Sequence, residues 1–383
     1  MKEKVIVIGA GFAGATVSRK LAEAGYKVEL LERRKGLGGN AYDYKDESGS
    51  YIHEYGPHIL HTNRENVFNF LSNYTEWFKY EHKVLGHIDG KFVPIPFSLK
   101  SIDELFDEEK AKELKEKLIN KYGEGNKVTI SKLREDNSED LSELADYVYE
   151  KVFLHYTEKQ WNMSPEKLGD GVTGRVPVYV SYDERYFQDK FQFMPLEGYT
   201  KLFENMLDHE NITIRLNVED AIERISFDGD KVLFDGEESI VIFTGCIDEL
   251  FGYKYGDLEY RSLEFDFENV KEPSFQDAAV VNYPNEHDFT RISEFKKFTV
   301  PSVDSDNTTI VREYPRNYER GMIPYYPIPL KECEEKYKLY LDESKKYKNL
   351  HLIGRLAEYK YYNMDAVVES AINLAEEIVK EDV

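Results

Sequence analysis

The segment from Lys4 to Glu32 constrains this chain more than any other. It opens with Lys4-Val-Ile-Val-Ile8, a β-branched run long enough for a strand buried on both faces, and passes directly into Gly9-Ala-Gly11-Phe12-Ala13-Gly14. Val17, Leu21 and Ala24 then fall on one helical face, Gly25 stops the helix, and Tyr26 to Leu31 reads as a second strand that delivers Glu32. Glycine triplets alone are common. Here strand, turn, helix, second strand and acid stand in register, which is the pattern of a dinucleotide-binding unit. Gly9 permits the tight turn, Gly11 lets the backbone approach a pyrophosphate, and Gly14 lets helix and strand pack closely. Free N–H groups at the helix start attract the anion. Glu32 is expected to accept hydrogen bonds from a ribose diol, with Arg33 beside it.

A second glycine pair follows in Gly38-Gly39-Asn40-Ala41, and it would bring more backbone N–H groups to the same pyrophosphate. That doubling tilts the cofactor from NAD toward FAD. In Glu54-Tyr-Gly56-Pro57-His58-Ile59-Leu-His61-Thr62 the two histidines have no third ligand nearby, and Gly-Pro stands just before them. No metal site is therefore read here. A loop passing a ring system fits better, with Tyr and His rings packed flat on an isoalloxazine.

With 383 residues the chain is long for one core, since a domain averages about 150. The net charge of -23 excludes a nucleic-acid groove, so an anionic ligand must be held by individual arginines and backbone N–H groups. Two cysteines are too few for a disulfide framework. No signal peptide precedes the first strand and no apolar run reaches the roughly 18 residues of a membrane span, so a cytoplasmic location is expected.

Taken together, Gly9–Gly14, Gly38-Gly-Asn-Ala-Tyr42 and Gly56-Pro-His-Ile-Leu-His61-Thr62 resemble bacterial UDP-galactopyranose mutases along essentially the whole chain. The resemblance implies a flavoenzyme that interconverts UDP-galactopyranose and UDP-galactofuranose. In it, N5 of reduced FAD attacks the anomeric carbon with no net redox. It also implies a homodimer, NAD(P)H or another reductant for the flavin, and a place in cell-surface polysaccharide biosynthesis. His61 would lie against the flavin near the sugar. Tyr156 and Trp161 would flank uridine and sugar, Arg175 and Arg291 would hold the diphosphate, and Tyr186 would bind phosphate. Of Tyr325 and Tyr326, one hydroxyl would reach the phosphates, Tyr325 being preferred. Gly354, Arg355, Tyr361, Asn363 and Met364 would surround flavin and substrate, and Asn282 would join the substrate residues. Valine at 152 and asparagine at 363 depart from the aromatic and acidic residues usual in that pattern.

The expected architecture is α/β: a Rossmann-type FAD-binding domain with an inserted helical domain and an antiparallel β-sheet domain. The FAD part is assigned to 1–84, 200–250 and 346–383, and the helical part to 98–170 with a mobile lid near 162–176. The substrate sheet takes 85–97, 175–199 and 251–345. Within these, Ser101 to Glu104 reads as a capping box, and Leu141, Leu144, Ala145, Val148 and Val152 read as one amphipathic helix. Two other readings compete. An FAD oxidoreductase of the amine-oxidase or desaturase type would share the cofactor domain, and a sugar-nucleotide binding protein would bind without turnover.

Overall fold

The computed structural model describes residues 4–168, 177–299 and 303–381. Arg175 and most of the expected lid lie outside them.

The β-branched runs form a five-stranded parallel sheet in the order Ile212–Arg215, Lys27–Leu31, Lys4–Ile8, Ile240–Phe243 and Leu350–Leu352. Lys4–Ile8 (β1) leads through Gly9 into the helix Phe12–Glu23 (α1), which returns to Lys27–Leu31 (β2). Crossovers leave β1 toward β2 on one side, while Ile240–Phe243 arrives on the other. Their divergence opens a crevice at the carboxyl ends of the strands, where ligands of such sheets bind. Gly14 makes the close approach of α1 to β1 possible: a Cβ there would lie 1.9 Å from the Gly9 carbonyl oxygen. Gly25, at φ +92°, stops the helix as expected.

A seven-stranded sheet shares the core of this layer through Val84, Val280 and Val311. Its order is Tyr326–Pro327, Tyr260–Val270, Thr308–Asn317, Arg291–Glu294, Val280–Asn282, Val84–Ile88 and Lys91–Ile95. It is not wholly antiparallel, as alternation alone suggested. Val280–Asn282 pairs parallel with Val84–Ile88, because the hairpin Val84–Ile95 enters from the early part of the chain and no tight turn joins it to that neighbour.

The helical part has its own core, in which Phe97, Ile102, Leu114, Leu144 and Phe153 are buried together. Two local expectations are corrected here. Ser98, not Ser101, is the N-cap of Leu99–Leu105, and Ser101 closes the capping box from the third position. The apolar stripe ends as α-helix at Val148, and Tyr149–Leu154 is a π-helical turn before the helix His155–Trp161. Wider turns shift the register, so Val152 is only partly buried while Phe153 takes the core position.

Two histidines are sealed under the aromatic layer. His53 and His82 are 1% and 4% exposed, and burial pushes each down to about 3. The unfolded chain takes up protons near pH 6.5 while these two sites do not, so stability is retained above that pH and is lost as pH falls toward 3. Each is expected to remove about 1 kcal/mol per pH unit below pH 6. Urea midpoints between pH 7 and 5 measure this. His53→Gln, which can still accept the His58 amide N–H but cannot titrate, should flatten the profile.

Candidate active site

The crevice at the sheet's carboxyl edge is a long cleft. Gly9, Gly11, Phe12 and Ala13 line it from the first turn, and Gly38, Gly39 and Asn40 from the second. The two glycine turns nest: Gly38 and Gly39 have φ of +107° and +57°, and a Cβ on Gly39 would meet the Gly11 Cα at 3.0 Å. No side chain caps α1, so its opening N–H groups are left to an anion in the cleft. Glu32 is 5% exposed and lines the cleft, with Arg33 beside it. Its oxygens already accept Ala10 N–H at 2.8 Å and Arg34 N–H at 2.9 Å, which ties the turns together. Each keeps a lone pair for a ligand hydroxyl. Val218, Ala221 and Ile222 supply an apolar wall. The far end is made by His58, Gly354, Arg355 and Met364.

A second, more polar cleft shares Asn40, His58, Tyr325, Arg355 and Met364 with the first, so the two meet along one edge. Arg291 stands on its wall and donates from Nε and Nη2 to Glu313 Oε2 at 2.9 and 2.6 Å. Burial opposes the guanidinium charge, and the adjacent Glu313 carboxylate outweighs it, so the Arg291 pKa lies above the ordinary value. Tyr156, Tyr186 and Tyr326 surround Arg291, and burial pushes all three phenols up, Tyr326 to about 12. They remain neutral O–H donors. Arg355 donates only to the carbonyls of Tyr325 and Tyr362 among the described residues. It lies over the Tyr326 and Tyr361 rings at 5.3 and 5.2 Å, so its charge is available to an anion. His58 is held neutral, burial pushing it down to about 3, and its Nδ1 lies 2.8 Å from the Gly56 carbonyl. His61 stacks on Phe187 at 3.6 Å and 8°, with Nδ1 2.9 Å from Asp189.

Comparison with known proteins decides between the readings. Residues 151–361, more than half of the chain and the source of Arg291, Glu313 and Tyr326 in the second cleft, match the family model for UDP-galactopyranose mutase. The chain belongs to the UDP-galactopyranose mutase family. Residues 7–74 also match an NAD(P)-binding Rossmann-like domain. The dTDP-fucopyranose mutase of Escherichia coli is 34% identical over 98% of both chains. The probable UDP-galactopyranose mutase of Klebsiella pneumoniae is 34% identical over 98% of this chain and 95% of its own. In structure, a reduced UDP-galactopyranose mutase superposes with a TM-score of 0.71 at 18% identity, covering 99% of this chain and 96% of that one. The chain is thus an isomerase of the UDP-galactopyranose mutase family, and the family and fold imply a flavin cofactor. An oxidase or desaturase would account for the first cleft alone.

For this mutase-family chain the first cleft fits a dinucleotide cofactor on three counts: nested glycine turns, the uncapped helix start and the buried Glu32. The residues expected there by sequence fall mostly where they were placed. Gly14 lines no cleft and acts by packing. Ile59, Tyr361 and Asn363 line the second cleft rather than the first. His61, Tyr156, Tyr186, Asn282, Arg291 and Tyr325 line the second cleft too. Trp161 lines neither and packs behind Tyr326 at 6.4 Å between rings. Both adjacent tyrosines line the second cleft; Tyr326 neighbours Arg291, while Tyr325 neighbours Arg34 and Tyr55. Sequence reasoning gave no site role to Phe187 or Asp365. Phe187 left a signal, as the residue after Tyr186. Among the described residues no group of three or more His, Cys, Asp or Glu could hold a metal, and no helix is long and apolar enough to cross a membrane.

Proposed function

We propose that this protein interconverts UDP-galactopyranose and UDP-galactofuranose, with FAD in the first cleft and the sugar nucleotide in the second. The observation that carries this is the shared edge at Asn40, His58, Tyr325, Arg355 and Met364, which brings the end of a dinucleotide against an anion-binding cleft. The nucleophile toward the anomeric carbon is supplied by FAD when it is bound and reduced. Among the described residues the side chains offer no substitute: the two carboxylates lining the second cleft, Glu313 and Asp365, are each bound by an arginine. Arg291, Arg355 and the phenol of Tyr326 hold the diphosphate before and after the bond to the sugar breaks, so the nucleotide stays in place for its return. Arg175 is assigned to the same diphosphate. The apolar sides of Phe187 and the tyrosines exclude water from the opened sugar. Gly38, Gly39 and the start of α1 hold the cofactor's pyrophosphate, and Glu32 its ribose.

The family resemblance supports further proposals: a homodimer in the cytoplasm, reduced by NAD(P)H, whose product enters cell-surface polysaccharide. Product analysis tests the substrate. The purified yellow protein, reduced with dithionite, is incubated separately with UDP-galactopyranose and with dTDP-fucopyranose, and the furanose forms are separated by chromatography. Conversion of the first is expected to be faster. Conversion of the second alone would move the assignment to the deoxyhexose, and conversion of neither would sink it.

A further inference from the structure

We propose that Asp189 is a positioning residue that fixes the neutral tautomer of His61, so that Nε2 faces the second cleft as a hydrogen-bond acceptor. The backbone N–H of Lys190 donates to Asn63 Oδ1 at 2.8 Å, which commits the oxygen of that carboxamide. Asn63 Nδ2 must then face Asp189, and it donates to Oδ1 at 2.7 Å. The other carboxylate oxygen, Oδ2, lies 2.9 Å from His61 Nδ1. A carboxylate only accepts, so the hydrogen sits on Nδ1 and the lone pair of the neutral ring is on Nε2.

The local fold holds this chain of bonds in place. His61 pairs across the strands with Gln192, whose buried Nε2 donates to the carbonyls of Phe187 and Asp189 at 3.2 and 3.0 Å. That clamps the short turn carrying both partners of the imidazole: Phe187 fixes its plane by stacking and Asp189 fixes its edge. Nε2 has no protein partner among the described residues, and the ring lines the second cleft but not the first. The donor it meets therefore belongs to the ligand of the second cleft. On the proposed function this is a sugar hydroxyl, and only that last step rests on that reading.

Asparagine at 189 separates this role from simple packing. In Asp189→Asn the carboxamide oxygen must face Asn63 Nδ2, so its NH2 faces His61 and forces the hydrogen onto Nε2. Asp189→Ala leaves both tautomers accessible. Turnover is therefore expected to fall about 100-fold in Asp189→Asn and only about tenfold in Asp189→Ala, with UDP affinity within about twofold of wild type in both. Adding Asn63→Ala to Asp189→Asn frees the carboxamide to turn and should recover about tenfold. Ring nitrogen NMR of histidine-labelled protein, with His61 assigned by its glutamine variant, should show Nε2 unprotonated in wild type and protonated in Asp189→Asn. This reading does not depend on turnover, so a failed mutase assay leaves it intact. A wild-type ring protonated at Nε2, alone or together with Nδ1, would overturn the proposal, as would an alanine variant slower than the asparagine one.

Discussion

Arg291→Ala is expected to lower turnover by about 100-fold or more and to weaken UDP binding, because it removes a guanidinium that Glu313 fixes by Nε and Nη2 and whose remaining N–H groups are left for the leaving diphosphate. It should also destabilise the protein, since Glu313 is 5% exposed and would be left as a buried carboxylate without its partner. These two effects separate. In Arg291→Ala with Glu313→Ala no charge is stranded, so the melting temperature should recover while turnover stays low. Lysine at 291 keeps the charge but not the two parallel donors, and should give an intermediate rate. Steady-state kinetics and thermal melts on the four proteins check this. Normal turnover in Arg291→Ala would remove the diphosphate from this wall of the cleft.

The second large effect is structural. Gly14→Ala adds a Cβ 1.9 Å from the Gly9 carbonyl oxygen, which is backbone and has no rotamer to move into. Either α1 lifts from β1 or the first glycine turn deforms, and the anion site at the start of α1 is lost in both cases. A destabilisation of about 3 kcal/mol is expected, together with flavin-free protein after purification. Flavin content by absorbance and a urea titration measure it. Stoichiometric flavin with a wild-type midpoint would mean that helix and strand can part without consequence. Gly25→Ala is the contrast, since nothing lies within 4 Å of a Cβ there and the cost is confined to its φ of +92°.

What could be read from the sequence follows from how local each signal is. Residues 4–32 carry strand, turn, helix and acid in one contiguous stretch, so their geometry is settled by near neighbours and the cofactor cleft was legible. Arg291 was visible as a candidate, and a cross-strand carboxylate beside it could be anticipated, but the choice of Glu313 over Glu294 rests on a strand register that no short-range pattern fixes. Tyr325 and Tyr326 show the same limit: they are adjacent in sequence, and which one stands beside Arg291 depends on the pairing of Tyr326–Pro327 with Tyr260–Val270. The π-helical turn at Tyr149–Leu154 was hidden because a period of 3.6 fits its flanks on both sides. Asp189 and His61 are brought together by a strand pairing far along the chain, and neither residue type announces it.

The central claim is that the flavin in the first cleft, and no side chain of the second, supplies the bond to the sugar. One measurement addresses it directly: conversion of UDP-galactopyranose by the same flavin-replete preparation in its oxidised and dithionite-reduced states, under anaerobic conditions. Turnover is expected only after reduction, with the sugar nucleotide recovered at its original oxidation level. Equal conversion in both states, or conversion by flavin-free protein, would contradict it.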